Sequence, residues 1–245
     1  MGLTGGLLWA ARHTCLECQF GVNQLCSVMS TPSDLAMQYG LYILSWMYHN
    51  RQYGITASSD SNPEPVAFCD SGWRPQAVDG KSQYGFMLVY FGLTVIWLSK
   101  KLPHISIPTP HSEFMAIGLC AREVIWLRQL LLECGRRLTT PTPIYGDNSV
   151  ANMQVSGDFT TPKNKFVHLP YQYVKEENGK AIVVIWCPTH TNLSDVLTKA
   201  VAKETIVAML PALQGRVLVQ WQNYFMRVHG EKCDGTPVVC RLLLN

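Results

Sequence analysis

The sequence is short of charge. Asp, Glu, Lys and Arg together make up 15% of its 245 residues, against 47% hydrophobic residues. That balance leaves ample apolar material for a core in one or two domains. The formal net charge is only +3, so charge alone neither marks nor excludes a nucleic-acid partner. No apolar run approaches the roughly 20 residues that cross a bilayer. The start "MGLTGGLLWAA" lacks the basic region of a secretory signal. Gly6 stands where a myristoylation signal wants Ser or Thr, and Cys240 lies too far from the C-terminus for prenylation. The expectation is an intracellular protein without a membrane partner. The nine cysteines follow no regular spacing, which points to reduced, mostly buried thiols rather than a disulfide scaffold. His13, Cys15, Cys18 and Cys26 have a metal-like spacing, but one Cys-x-x-Cys without a second pair is a weak zinc signal. Repeats and low-complexity tracts are also missing.

What is present has a clear order. Residues 1–55 read as helical: "GLLWAARHTCLECQFGVNQLCSVM" is apolar on a broken helical period. "TPSD" (Thr31 to Asp34) then opens a second amphipathic helix, with Pro32 expected in its first turn. Residues 57–65, "ASSDSNPEP", are polar and proline-bearing and mark a boundary. Beyond it the pattern turns to strands: "VAFCD" ending at Asp70, then "YGFMLVYFG" and "LTVIWLSKK" divided by Gly92. A long helix follows, with Ser112 as the expected cap, Phe114, Ile117, Ala121, Val124, Arg128 and Leu131 on one face, and Gly135 closing it. Next come the strand "PIYGD", a short helix from Asn148, a helix around 164–177, an Asn178-Gly179 turn, the strand "AIVVIW", and a final helix "SDVLTKAV" capped by Ser194. Trp73, Trp97, Trp126 and Trp186 read as core residues. Residues 215–245 show no clear period. The pattern predicts an α/β sandwich with helices on a mixed sheet.

Four acids fall at the ends of these expected elements. Asp70 closes the first strand, Glu113 opens the long helix, Asp147 closes the fourth strand and Asp195 opens the last helix. Any one of them alone reads as a cap or a helix-dipole partner. As a set they point to a site off the strand ends, where open α/β sheets place their ligands. Converging carboxylates repel, and some would stay protonated. Divalent cations relieve that conflict, and two of them about 4 Å apart can clamp the attacking and leaving oxygens of a displacement at phosphorus.

Six blocks in order, "AFCDSGW" (67–73), "DGKSQYGFMLVYFGLTVIWLSKK" (79–101), "HSEFMAIGLCAREVIWLRQLLLECG" (111–135), "YGDNSVA" (145–151), "KNKFVHLPYQYVKEE" (163–177) and "LSDVLTKAV" (193–201), resemble the ribonuclease H domain of copia-type long-terminal-repeat retrotransposon Pol polyproteins. Residues 3–56 are similar to the connection that joins reverse transcriptase to ribonuclease H in such polyproteins. The resemblance implies a small helical connection remnant over 1–60, a ribonuclease H-like domain over 61–212 with a five-stranded mixed sheet flanked by helices, and a tail of unassigned structure over 213–245. It implies cleavage of the RNA strand of RNA–DNA hybrids with two Mg²⁺ or Mn²⁺ ions held by Asp70, Glu113, Asp147 and Asp195. It also implies a setting in the cytoplasm, within a virus-like particle, or in the nucleus, and the rest of a Pol polyprotein as a partner.

Related enzymes often use a mobile His near the last Asp to help product leave, and His190 is the local candidate, beside the plain reading of a solvated loop residue. Lys163 and Lys165 are candidates for phosphate contact, or simply a solvated face. Three positions depart from the family pattern: Gly72 where a second Asp is frequent, Ser-Glu-Phe at 112–114 for Ala-Glu-Tyr, and "KFVH" at 165–168, which puts Phe166 and His168 where the family has His and Asp. An adjacent Asp-Asp pair is absent, so polymerase activity is not expected. An integrase-type transferase would want a Glu where Ile182 stands. The alternative function is a catalytically inactive remnant that binds nucleic acid or a polyprotein partner.

Overall fold

The computed structural model of the chain describes residues 2–51, 54–57, 63–72, 81–102, 109–148 and 168–214, with backbone alone at 109–111 and 168–171. Three helices come first: α1 (Gly2–His13), α2 (Gln19–Ser27), reached through a 3-10 turn at Leu16–Cys18, and α3 (Asp34–His49). The α3 cap is Ser33, whose hydroxyl accepts from the Ala36 amide, so Pro32 precedes the helix instead of sitting in its first turn. Leu7, Ala11, Val22, Leu25, Ile43 and Met47 form the core of this helical unit.

The five strands are β1 (Val66–Gly72), β2 (Gln83–Tyr90), β3 (Leu93–Lys101), β4 (Thr142–Gly146) and β5 (Ile182–Trp186), in the order β3-β2-β1-β4-β5. β1 pairs antiparallel with β2 and parallel with β4, and β5 runs parallel to β4. This is the mixed sheet expected for a ribonuclease H-like fold. β2 and β3 join through a two-residue turn with positive φ at both Phe91 (51°) and Gly92 (71°). Such a turn matches the right-handed twist of the strands it connects.

Alternation along the strands serves two buried faces. Ala67, Cys69, Phe86, Leu88 and Ile144 face α4 (Thr109–Glu133), which contributes Phe114, Ile117, Ala121 and Val124, and α5 (His168–Glu177), which contributes Val174. Val66, Phe68, Met87, Val89 and Tyr145 face the other way, onto Leu193, Val196 and Leu197 of a 3-10 turn and onto α6 (Lys203–Leu213). Leu16 of the helical unit joins that second core. Trp97 Nε1 donates to the Ala11 carbonyl (3.0 Å) and Thr94 Oγ1 to the Leu213 carbonyl (2.9 Å), tying the helical unit and α6 to the sheet.

Several local expectations give way. β1 runs on through Asp70 to Gly72, because Asp70, Ser71 and Gly72 continue the register with Gly85, Tyr84 and Gln83. α4 begins at Thr109, so Ser112 and Glu113 lie inside it. "SDVLTKAV" is not one helix: a 3-10 turn covers Leu193–Leu197, and α6 starts only at Lys203. Trp126 and Trp186 are 55% and 51% exposed rather than core. On α4, Trp126 lies off the stripe of Ile117, Ala121 and Val124 that meets the sheet. Gly135 does close α4, with a φ of 83° and the Arg136 amide bonded back to the Leu131 carbonyl (2.8 Å). Asn148 is described outside any helix, and the rest of the short helix expected from it, like Trp73, lies outside the described residues.

Candidate metal centre

β1 is the central strand, and its even-numbered positions point toward the Leu193–Leu197 turn. That alternation carries Asp70 onto the turn's face with only 3% exposure. Glu113 arrives from α4 at 7% exposure, and its Oε2 accepts a hydrogen bond from the Ser71 amide (3.2 Å). Asp147 follows the last residue of β4, with its backbone fixed by Trp186 Nε1 donating to its carbonyl (3.0 Å). Carboxylate oxygens of Asp70, Glu113 and Asp147 lie within 4.8 Å of one another, and among the described residues this is the one such group of potential metal ligands. His13, Cys15, Cys18 and Cys26 do not form another. His13 Nδ1 instead pairs with the Trp9 carbonyl (2.7 Å), one helical turn back.

The fourth acid arrives differently from the sequence expectation. Asp195 sits in the 3-10 turn, is 7% exposed, and lies outside the 4.8 Å group. Its Oδ2 is 2.8 Å from the Lys199 ammonium, which is also 4.0 Å from Asp70 Oδ2. Asp195 Oδ1 is buried with no hydrogen-bond partner. The neighbouring Thr198 hydroxyl donates to Asp70 Oδ2.

The turn is anchored by Asn192, fully buried, which donates to the Cys69 carbonyl (3.0 Å) and accepts from the amide (3.2 Å) and hydroxyl (2.6 Å) of Ser194. Asn192, not Ser194, is therefore the cap. Two glycines let the turn lie flat on the sheet. A Cβ at Gly72 would come 2.8 Å from the Thr198 carbonyl oxygen, and one at Gly85 2.5 Å from Leu197 Cβ.

The electrostatics show crowded negative charge. Burial first, then the charges of Asp70 and Asp147, push the Glu113 carboxyl up to about 9. Burial and then Asp70 push Asp195 up to about 7, against the pull of Lys199. Asp70 is also raised, chiefly by burial and despite Lys199. Burial works against the Lys199 ammonium, but Asp70 and Asp195 outweigh it and raise its pKa. An all-oxygen donor set, an orphaned buried carboxylate oxygen and acids held above their ordinary range fit a hard divalent cation.

His190 lies exposed in the 3-10 turn Thr189–Thr191, outside the acidic group. Lys163 and Lys165 lie outside the described residues. Sequence reasoning missed Asn192, Thr198 and Lys199. The available signals were an Asn two residues before a Ser, a cap spacing, and a Lys four residues after an Asp.

No protein-family profile matches the chain. Curated relatives include the "Retrovirus-related Pol polyprotein from transposon RE1" of Arabidopsis thaliana, 28% identical over 204 residues, which cover 82% of this chain and 14% of that protein. The same plant's "Retrovirus-related Pol polyprotein from transposon RE2" is 26% identical over 204 residues, with the same coverage of 82% and 14%. The chain thus spans about 14% of the length of these relatives. Among solved structures, RNase H1 from Halobacterium salinarum is 15% identical with a TM-score of 0.40, covering 55% of this chain and 94% of that one. LC11-RNase H1, solved in complex with an RNA/DNA hybrid, is 16% identical with a TM-score of 0.41, covering 55% and 94%. The fold itself rests on the strand order and register traced above. By sequence the chain is similar to retrovirus-related Pol polyproteins of plant transposons, and its sheet is the five-stranded mixed sheet expected for a ribonuclease H-like fold.

Proposed function

We propose that this chain is the ribonuclease H part of a retrotransposon Pol polyprotein and hydrolyses the RNA strand of RNA–DNA hybrids with two Mg²⁺ or Mn²⁺ ions. The observation that carries the reading is the approach of Asp70, Glu113 and Asp147 to within 4.8 Å, each from a different element. Asp70 and Glu113 are buried there, and burial with neighbouring negative charge opposes their ionisation, a cost that a bound cation would relieve.

Asp70, Glu113, Asp147 and Asp195 would hold the ions, with Asp70 central to the set. Bound ions would lower the pKa of an attacking water and neutralise charge at the phosphoryl and leaving oxygens. The chain's own part is placement. The Ser71 amide fixes Glu113, the Thr198 hydroxyl fixes one oxygen of Asp70, and Asn192 clamps the turn that presents Asp195. His190 is read as a product-release residue and Lys163 and Lys165 as phosphate contacts. Residues 1–60, 61–212 and 213–245 are read as the connection remnant, the nuclease domain and a tail.

The test is cleavage of an end-labelled RNA–DNA hybrid by the folded chain with Mg²⁺ or Mn²⁺. Cutting of the RNA strand alone, abolished by EDTA and by Asp147→Asn, is the expected result. No cutting above the Asp147→Asn background would overturn the reading.

A second reading, an inactive chain that docks on a polyprotein partner, is favoured by α3. Only Gly40, Ile43 and Met47 of that helix are buried, while Leu35, Met37, Leu41, Tyr42 and Tyr48 are 76%, 56%, 51%, 61% and 60% exposed. Exposed apolar area of that kind marks a contact surface. Loss of hybrid cleavage with retained binding to reverse transcriptase segments would select this reading.

A further inference from the structure

We propose that Lys199 is a built-in counter-cation that occupies the space between Asp195 and Asp70 in the metal-free chain and competes there with a divalent ion. The inference rests on the metal-site reading above and adds a competitor to it.

Two features place the ammonium. The turn wraps back on itself, with the amides of Thr198 and Lys199 both donating to the Asp195 carbonyl (3.1 Å each). The Lys199 side chain therefore leaves the turn directly over the Asp195 carboxylate. The turn's backbone is pressed onto the sheet at Gly72 and Gly85, where no Cβ would fit without displacement. The ammonium is thus delivered to a fixed place, 2.8 Å from Asp195 Oδ2 and 4.0 Å from Asp70 Oδ2.

Geometry makes the two occupants competitors. A Mg²⁺ or Mn²⁺ held with the help of Asp195 and Asp70 would draw on the same negative charge that now holds the ammonium. The Lys199 ammonium already holds Asp195 Oδ2 at 2.8 Å, so an ion taken by that oxygen would have to displace it, and an ion taken by the unpartnered Oδ1 would meet its like charge at close range. Lys199 has somewhere to go. Its side chain is 41% exposed and lines a cavity of about 180 Å³ shared with Tyr39, Trp46, Ala200 and Val201. A long flexible stem can swing there and keep its head in water.

A plain structural ion pair makes a different prediction, since its loss would not tighten metal binding. The experiment titrates Mn²⁺ into the EDTA-stripped full chain and into Lys199→Met and Lys199→Gln, with Mn²⁺ occupancy followed by electron paramagnetic resonance. Parallel thermal melts in EDTA show that each variant folds. The expected result is Mn²⁺ affinity roughly three- to tenfold tighter in both variants, the worth of a partly exposed ion pair, with a lower melting temperature in EDTA. The gain should vanish in an Asp195→Asn background, where the competed oxygen has lost its charge. Unchanged or weaker Mn²⁺ affinity in folded variants overturns the proposal, as does a chain that binds no Mn²⁺ with or without Lys199. If the variants gain affinity while the wild-type chain cuts no hybrid, the competition stands and the nuclease reading falls. If the chain cuts hybrids but Lys199 leaves Mn²⁺ affinity unmoved, the nuclease reading stands and this one falls.

Discussion

Replacing Glu113 by Gln should make the metal-free protein more stable. Glu113 is 7% exposed, and burial with the charges of Asp70 and Asp147 lifts its carboxyl from an ordinary 4.5 to about 9. Its folded pKa is the higher one, so the folded chain holds a proton that the unfolded chain has released. Stability from this group is full below about 4.5 and drains away as pH rises toward about 9. At pH 7 the unfolded glutamate has passed its pKa by about two and a half units, so keeping the group protonated in the fold costs about 3 kcal/mol. Gln is neutral at every pH and keeps an oxygen for the Ser71 amide that bonds Glu113 at 3.2 Å. Glu113→Gln in EDTA should therefore melt roughly 6–12 °C above wild type at pH 7, and by less than about 1 kcal/mol of advantage at pH 5. Saturating Mg²⁺ should close the gap by stabilising the wild type alone. Thermal melts at the two pH values, with and without Mg²⁺, measure all of this. Coincident melts in EDTA at pH 7, or an advantage that does not grow from pH 5 to pH 7, would refute the argument that this acid is frustrated without a cation.

Other expectations concern the frame around the site. Asp195, raised from 3.8 to about 7 by burial and then by Asp70, should also make metal-free stability fall as pH climbs from about 4 to about 7. Urea titrations should show that slope in EDTA and a flatter one in Mg²⁺. Asn192→Ala leaves the Cys69 carbonyl and the Ser194 groups without their partner. It should cost about 2–4 kcal/mol by denaturant melt and weaken Mn²⁺ binding, because Asp195 rides on the loosened turn. Gly85→Ala puts a Cβ 2.5 Å from that of Leu197, and a loss of about 1–3 kcal/mol is expected from overpacking. Wild-type stability in either variant would show that the turn is not seated as described. Arg128→Ala removes donors from the Thr140 and Leu138 carbonyls and the Thr142 hydroxyl. It should lower stability by about 1–3 kcal/mol while leaving Mn²⁺ affinity unchanged.

The sequence by itself determined the elements whose signal is local. Short apolar runs bounded by turn residues marked β1, β2 and β3, and β1 and β2 are apolar throughout because both of their faces are buried. Period 3.6 marked α4, because Ile117, Ala121 and Val124 must all reach the sheet. Gly92 and Gly135 marked a hairpin and a helix end because the backbone there needs positive φ. The order of the acids was also legible, since each stands in a recognisable block. What only the tertiary structure decided is how those acids meet. Asp70, Glu113 and Asp147 are joined by strand pairing and helix packing across long stretches of chain, and no local pattern encodes the 4.8 Å between them. The end of the chain's last block was misread for the same reason. "SDVLTKAV" has helical propensity, but Asn192 is held by the carbonyl of Cys69 in β1, far away in sequence. That contact bends the segment into a 3-10 turn and swings Lys199 onto Asp195 and Asp70. Propensity is a sum over neighbours in sequence, whereas a buried charge answers to whatever the fold brings beside it.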